Sequence, residues 1–418
     1  MILVSKTLAS YRVFAKLPHA AAATYPSNEM ILTKCAVCAT ELGLSLGKKC
    51  GRCSTRYCGP ECQEQHWKEG GHDKLCKKIK RAGGAEQYNA NQKYTAAVTV
   101  AVEKCADDTK GQTCYICTQA LHWKTKEGLV RGCACRGTAG FAHVSCLAER
   151  AKILLAEAME NRLGDDTINQ KWQRWHTCSL CEQDYHSVVR CALGWAGWKT
   201  YVGRPERDQL RCMAMNLLGN GISEAGNHVD ALPVKVAKLA MKQRLGWPEK
   251  NILDVQCNLA NIYDLVGRGE EALEIYQYVY SRTLELLGEA NESTVLAASN
   301  YADHLINLGR FEEAKALLSK MMPVAQRLLG ESNDVTLMMR TLSAKAFYQD
   351  ESSTLDELRK SVGTLEDTTR TARLVLGGTH PLVVNIEACL QFSRAKLGAR
   401  DGVNSICAAV EAMAPGHA

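Results

Sequence analysis

Cysteine and histidine residues that could hold metal ions are concentrated in the first half of this 418-residue chain. Fourteen of its twenty cysteines fall in close groups between Cys35 and Cys181. Thiolates at such spacing, with histidines among them, are typical of tetrahedral zinc sites in a reducing compartment. Disulfide scaffolds belong to short secreted chains, and no secretory signal is visible. We expect the six scattered cysteines to be buried apolar residues: Cys105, Cys191, Cys212, Cys257, Cys389 and Cys407.

The first cluster contains four ligand pairs, which is the number that two closed tetrahedral sites require. Its last two pairs have helical spacing, so both members of each pair can reach one ion from one helix face. The eight candidate ligands are Cys35, Cys38, Cys50, Cys53, Cys58, Cys62, His72 and Cys76.

This cluster resembles the MYND zinc finger. The resemblance rests on Tyr57-Cys58 before the third pair, Cys62-Gln63 within it, and Trp67 ahead of the last pair. It implies a peptide-binding module rather than a catalyst, with an interleaved ligand arrangement. One zinc would be held by Cys35, Cys38, Cys58 and Cys62, and the other by Cys50, Cys53, His72 and Cys76.

The segment between Trp67 and the last pair is two residues longer than is usual in that family, because Gly70 and Gly71 are inserted. His66 is therefore a rival to His72 as the ligand. We favour His72, which has the usual spacing to Cys76, and expect His66 to be a surface helix residue.

The second cluster also contains four pairs and therefore predicts two further zinc ions, four in the whole chain. Its candidate ligands are Cys114, Cys117, Cys133, Cys135, His143, Cys146, Cys178 and Cys181. The order of four cysteines, one histidine and three cysteines resembles the RING-CH (RING-variant) finger, as do the run from Cys133 to Leu147 and the position of Tyr185. The resemblance implies one zinc on the first and third pairs and one on the second and fourth. The long insert before Cys178 predicts a helix over 147–163.

RING-type fingers are commonly ubiquitin ligases, in which closed zinc sites shape a surface for a ubiquitin-conjugating enzyme. Such a surface needs exposed apolar residues, and the candidates here are Ile116, Trp175 and Leu180. Packing around the zinc is the alternative role for each. Two departures weaken the ligase hypothesis: Ser179 stands where proline is frequent, and Glu182 stands where many active ligases carry a cation.

From about Arg207 the sequence repeats every 42 residues. Asn258–Tyr263 recurs as Asn300–Leu305, and Gly267–Leu273 recurs as Gly309–Lys315. Each unit predicts two helices joined at a glycine, and stacked units supply the core. Small residues that let the paired helices approach are Ala231, Ala272 and Ala314.

The repeats resemble tetratricopeptide repeats of the kinesin-light-chain type, and HEAT-like repeats are the rival assignment. Tetratricopeptide arrays bind peptides in a groove lined by first helices. Asn258 and Asn300 occupy equivalent first-helix positions and could bond the backbone of a ligand, although a role inside the repeat is the alternative.

The predicted fold is mainly α, with two small α+β zinc modules and a C-terminal α-solenoid of helical hairpins. The expected segments are a disordered leader at 1–30, a MYND-type finger at 31–80, a linker with a short helix at 81–110, a RING-CH-type finger at 111–190, repeats at 205–400, and a tail at 401–418.

Charge and composition limit the functions that remain. Fourteen ligand thiolates and four zinc ions would cancel the formal net charge of +6, so we do not expect nucleic acid as a partner. No stretch is apolar enough to predict a transmembrane helix. No catalytic constellation is visible, and the Asn-His-Ser-Cys core of SET methyltransferases is absent. We expect a cytoplasmic or nuclear zinc protein that binds proteins or peptides, either as a RING-CH-type ligase or as a non-catalytic adaptor. The basic, acid-poor leader leaves organelle targeting open.

Overall fold

A computed structural model describes residues 31–40, 42–43, 46–378 and 380–413 of the chain. The leader expected at 1–30 lies outside the described residues. The described part is mainly helical, with one short antiparallel β-ribbon. This architecture confirms the expected fold class. Contacts group the described residues into two compact units that divide between Val266 and Gly267. No described helix is both long and apolar enough to cross a membrane.

The first unit begins with the segment that carries the first cysteine cluster. Its elements are β1 (Lys48–Lys49), β2 (Arg56–Tyr57), α1 (Pro60–Lys68) and α2 (His72–Arg81). The two strands pair antiparallel, with Lys48 opposite Tyr57. Proline is favourable at the first position of α1, where no helical partner for an N–H is needed. In α2 the buried residues His72, Cys76 and Ile79 lie on one face, so the helix presents two candidate ligands to the interior.

The rest of the first unit is built around the second cysteine cluster. Its elements are α3 (Ala85–Lys104), α4 (Ala106–Thr109), α5 (Val144–Glu160), α6 (Asp165–Trp172), a 3-10 turn (Gln173–Trp175), α7 (Ser187–Tyr201), α8 (Gln209–Glu224), α9 (His228–Arg244) and α10 (Glu249–Leu265). The helix expected in the insert at 147–163 is present as α5. The short helix expected in the linker at 81–110 is present as α3, which is longer than expected at 20 residues.

Helix α7 forms the centre of this unit and packs against α3, α5 and α8. Every residue from Val189 to Trp198 is buried, as expected for a helix covered on all sides. A glycine permits the close approach of α8. A β-carbon added at Gly221 would lie 2.7 Å from the carbonyl oxygen of Arg190. One hydrophobic core therefore joins candidate ligands such as Cys114 and Cys178 to Trp195 and Leu218 on the helices.

The second unit consists of helical hairpins: α11 (Gly269–Leu287), α12 (Glu292–Asn307), α13 (Phe311–Leu329), α14 (Asp334–Gln349), α15 (Leu355–Leu376) and α16 (Pro381–Met413). Successive helices pack on one another, and α14 also contacts α12 and α16. The predicted repeat is borne out at its turns, where Gly309 has φ +76° between α12 and α13. The small residues Ala272 and Ala314 are fully buried, as the close helix pairing requires.

We expect zinc removal to affect the two units differently. A fragment from Gly267 to Met413 should keep its helical circular dichroism in chelator, because its cores are formed by stacked apolar helix faces. A fragment from Ile31 to Val266 should lose helicity beyond its fingers, because α7 shares a core with candidate ligands. Loss of helicity in the C-terminal fragment, or none in the N-terminal one, would contradict this division.

Candidate metal centres

All sixteen cysteine and histidine side chains that the sequence singles out lie in four groups of four. Within each group the potential ligand atoms lie within 4.8 Å of one another. The groups have the same membership that the two resemblances imply, with first and third pairs together and second and fourth pairs together. They are Cys35, Cys38, Cys58 and Cys62; Cys50, Cys53, His72 and Cys76; Cys114, Cys117, His143 and Cys146; and Cys133, Cys135, Cys178 and Cys181.

Each group contains one Cys-x-x-Cys turn, and the four turns have the same backbone hydrogen bonds. In the turn at Cys178, the cysteine N–H donates to Gln183 O (2.9 Å) and its carbonyl accepts from Glu182 N (3.0 Å). The residue after the second cysteine has a positive φ in every case: Ala39, Ser54, Thr118 and Glu182. This turn directs backbone N–H groups toward the first sulfur, as from Leu180 N to Cys178 Sγ (3.4 Å). Such donors stabilise a thiolate.

The remaining ligands of the first cluster come from its two helices and the end of β2. His72 Nε2 on α2 lies 3.3 Å from Cys53 Sγ, and Cys76 Sγ lies 3.9 Å from Cys50 Sγ. In the other group, Cys58 Sγ lies 3.4 Å from Cys38 Sγ and 3.5 Å from Cys62 Sγ on α1. The helical spacing inferred from the sequence holds for His72 and Cys76, which both lie on α2, whereas Cys58 precedes α1 and only Cys62 lies on that helix.

In the second cluster, the start of α5 supplies the histidine-containing pair. His143 Nδ1 lies 3.3 Å from Cys117 Sγ and 3.6 Å from Cys146 Sγ. Its Nε2 lies 3.3 Å from the carbonyl oxygen of Ala120, to which an Nε2–H would donate. This contact leaves Nδ1 as the ligand atom, an arrangement common in metal-binding histidines.

The electrostatics of these groups call for a cation. A hydrogen bond from the Cys133 thiol lowers the pKa of Cys178 to about 4, and the same bond raises the pKa of Cys133. Neighbouring thiols therefore cannot all ionise, because each thiolate disfavours the next. A divalent ion would remove this conflict by neutralising adjacent thiolates. The sulfur and nitrogen donor sets, four to a group, suit Zn²⁺ in a closed tetrahedral site.

Comparison with protein families assigns the first cluster. Residues 35–76 match the family model described as the MYND finger. This segment is a MYND finger. No curated protein matches the chain.

Solved structures of helical repeat proteins are distantly similar to the chain. One is a putative kinesin light chain from Podosopora anserina with nearly identical TPR-like repeats; it is 16% identical, with a TM-score of 0.36, and the match covers 56% of this chain and 98% of that one. Another is BtubC (BKLC) from P. vanneervenii, which is 15% identical with a TM-score of 0.36, and the match covers 66% of this chain and 93% of that one.

The two inserted glycines of the MYND finger explain why His72, and not His66, lies in the ligand group. Gly71 has φ +70°, a left-handed conformation that lets α2 begin immediately afterwards at His72. A β-carbon at Gly70 would lie 2.3 Å from His66 Cδ2. His66 is half-buried, with its Nδ1 3.0 Å from the hydroxyl of Tyr57. It is thus a packing residue beside the site rather than the surface residue that the sequence predicted.

The three apolar residues proposed as a docking surface lie in different environments. Leu180 is 50% exposed, and Ile116 is half-buried against the core. Trp175 is fully buried, with ring centroids 6.0 Å from Trp172 and 5.7 Å from Tyr201. Trp175 has the alternative role of packing in the core, because the 3-10 turn that carries it contacts α7. Trp175 is therefore not part of an exposed surface.

The two departures from the RING-CH pattern have partners in the structure. The Ser179 hydroxyl lies 3.2 Å from that of Tyr115, so this bond links the first and fourth ligand pairs. The Glu182 carboxylate forms an ion pair with Arg174 (3.6 Å). Glu182 is mostly exposed, so this pair contributes little to stability.

In the repeats, Asn258 is exposed and Asn300 is half-buried. The Asn258 side chain donates a hydrogen bond to the carbonyl oxygen of Asp254 (2.8 Å). This bond favours the alternative role for Asn258, inside the repeat.

Three buried lysines on one face of α9 were not predicted from the sequence, although their helical spacing could have indicated them: Lys235, Lys238 and Lys242.

Two of these lysines bond to amide oxygens on α8, and Asp254 on α10 is an acidic neighbour of Lys238 and Lys242. Lys238 Nζ donates to Asn216 Oδ1 (2.9 Å), and Lys235 donates to the side chain of Asn220. Burial lowers the pKa of Lys235 to about 7 and that of Lys238 to about 8. The amides of Asn216 and Asn220 on α8 therefore lie in front of two buried lysine side chains.

The number of zinc ions per chain tests the four ligand groups directly. Native mass spectrometry of reduced, zinc-replete protein should detect four zinc ions per chain, one for each ligand group. Cys178→Ser should lower the count by one and leave the MYND finger loaded. A wild-type count of two or fewer would contradict the two-module arrangement.

The choice between the two histidines can be tested by substitution. His72→Ala should release one zinc and expose residues 50–76 to hydrogen exchange, since structural zinc contributes about 10–16 kcal/mol to a small fold. His66→Ala is the matched control, and it should keep all zinc because His66 bonds to the Tyr57 hydroxyl and is in none of the four ligand groups of the described residues. The opposite pattern would place His66 in the site.

Proposed function

We propose that the chain is a zinc-dependent protein-interaction protein in which all sixteen residues of the four groups bind zinc. In this proposal the MYND finger occupies 31–80, a RING-CH-type finger occupies 111–190, and the tetratricopeptide-like repeats occupy 205–400. Every group supplies four protein ligands, so no coordination position is open for substrate. The zinc ions have a structural role and do no chemistry.

We further propose that the second finger recruits a ubiquitin-conjugating enzyme. The observation that carries this proposal is the hydrogen bond between the hydroxyls of Tyr115 and Ser179, which joins the turns at Cys114 and Cys178. Each turn belongs to a different ligand group. Ile116 and Leu180 occupy the same position in the two turns, between the paired cysteines, and retain exposed apolar surface. Two rigid turns with neighbouring apolar side chains are suited to bind another protein.

The MYND finger and the repeats would bind the client of this activity. Both are interaction modules by resemblance, and an array of hairpins offers a long face to an extended peptide. The amides of Asn216, Asn220 and Asn258 could hydrogen-bond a peptide backbone. Lysines behind the first two would favour an acidic segment over a basic one.

The second candidate function is a non-catalytic adaptor, and Glu182 favours it. A cation at this position would be able to brace a conjugated ubiquitin, whereas this carboxylate is paired with Arg174. In the adaptor the second finger would keep its surface for protein binding without promoting transfer.

A ubiquitin transfer assay with a panel of conjugating enzymes separates the two functions. We expect weak transfer by the wild type and an increase for Glu182→Arg, which supplies the cation. Ile116→Ala with Leu180→Ala should lower transfer by about tenfold or more, as expected for the loss of central docking contacts.

Leu163→Ala provides the matched control, because Leu163 is a similarly exposed leucine in the same finger, after α5. It should leave transfer unchanged, and all variants should retain their zinc and their melting temperature. If the wild type and Glu182→Arg are both inactive with every conjugating enzyme, the adaptor is the correct function.

A further inference from the structure

A loop between the first two ligand pairs of the second finger exposes two large apolar side chains. His122 N–H donates to Glu127 O (3.0 Å), and Lys126 N–H donates to His122 O (2.9 Å), which closes a tight turn. Leu121 is 59% exposed and Trp123 is 69% exposed, whereas His122 between them is buried. We call Leu121, Trp123, Lys124 and Lys126 the loop tip.

The tip is held rigidly beside a candidate metal group. The buried His122 ring accepts a hydrogen bond from Thr125 N at its Nδ1 (3.1 Å). At the base of the loop, Ala120 O lies 3.3 Å from Nε2 of the candidate ligand His143. Because His122 points inward, its two neighbours point outward. The exposure of Leu121 and Trp123 is therefore set by the loop conformation.

The charge on the tip is positive. Lys124 and Lys126 are exposed, and Glu127 is the only acidic residue from 118 to 127. The Glu127 carboxylate faces α5, where its Oε1 accepts from Ser145 N (2.7 Å). The first turn of α5, which the loop contacts through Thr125 and Ser145, carries no acidic residue. Two lysines thus flank the apolar side chains without a neighbouring acid on the loop surface.

We propose that the loop tip docks onto an anionic lipid surface. Tryptophan partitions favourably to the interface between headgroups and acyl chains, and lysines next to it attract anionic headgroups. His122 is buried, the Glu127 carboxylate accepts from α5, and the exposed Thr125 hydroxyl is bonded back to the His122 ring. The tip itself presents apolar surface and positive charge, which a fluid lipid layer can accommodate without a fixed register. Buried apolar area and attraction to anionic lipid are the two contributions on which the strength of peripheral binding depends.

The test is sedimentation of the full, zinc-loaded chain with phosphatidylcholine vesicles, with or without phosphatidylserine. The wild type should bind the vesicles that contain phosphatidylserine, and binding should weaken in high salt. Leu121→Ser with Trp123→Ser should lower the affinity by about tenfold or more, since apolar area leaves the membrane. Lys124→Gln with Lys126→Gln should lower it by a similar factor, about tenfold, and only for anionic vesicles.

Two controls separate the tip from general properties of the surface. Leu374→Ser removes a more exposed leucine from the C-terminal unit, and Lys77→Gln with Lys80→Gln removes two exposed lysines from the MYND finger. Neither should change vesicle binding by more than about twofold. All variants should keep their zinc content and helical circular dichroism.

Binding that survives the tip substitutions, or that falls equally with the control lysines, would overturn the proposal. Absence of wild-type binding to anionic vesicles would also overturn it. The exposed tip would then be assigned to a contact with another protein.

Discussion

Metal–sulfur coordination is the interaction on which the N-terminal part of this protein depends, because its sulfurs are too close together to be stable without a cation. The MYND finger shows this most directly. Its hydrophobic cluster is small, and four of its eight buried members are themselves candidate ligands: Cys35, Cys50, Cys53 and Cys76. A cluster of that size cannot offset the chain entropy of ordering the segment. The ions therefore take the place of a core.

In the second cluster the candidate metal groups lie against an extensive hydrophobic core. Three of its candidate ligands belong to the same core as Trp175, Trp195 and Trp198. Because α7 and α8 continue this core, the finger and its neighbouring helices stabilise one another. The turns at Cys114 and Cys178 keep partly exposed side chains, Ile116 and Leu180, on their outer side. The helices pack behind these turns and fix their orientation. Such support is what a docking surface needs in order to bind a partner without reordering.

The C-terminal unit is stabilised in a different way. Its contacts are between helices that are adjacent in sequence or one hairpin apart, and ion pairs such as Lys345 with Asp303 (2.8 Å) join equivalent positions of neighbouring hairpins. A regular stack of hairpins presents a long surface along the array to which a partner could bind. The chain thus combines short segments that metal ions hold together with a long segment that packing holds together.

Local spacing was sufficient to predict much of this protein. The intervals between cysteines and histidines indicated four metal groups, since a ligand pair on one turn or helix face depends only on residues a few positions apart. The 42-residue period likewise predicted helical hairpins and the buried Ala272 and Ala314. These features depend on backbone geometry, which short stretches of sequence encode.

Other features depended on residues that are distant in sequence. Trp175 is buried because α7 covers the turn that carries it, and His66 is half-buried because Tyr57 and the turn at Gly70 lie against it. The inward side chain of His122, which leaves Leu121 and Trp123 exposed, follows from contacts made inside the folded finger. The sequence alone determined which residues can coordinate metal and which can form repeating helices. Only the tertiary structure decided which apolar side chains remain at the surface, because burial depends on what packs against a residue from elsewhere in the chain.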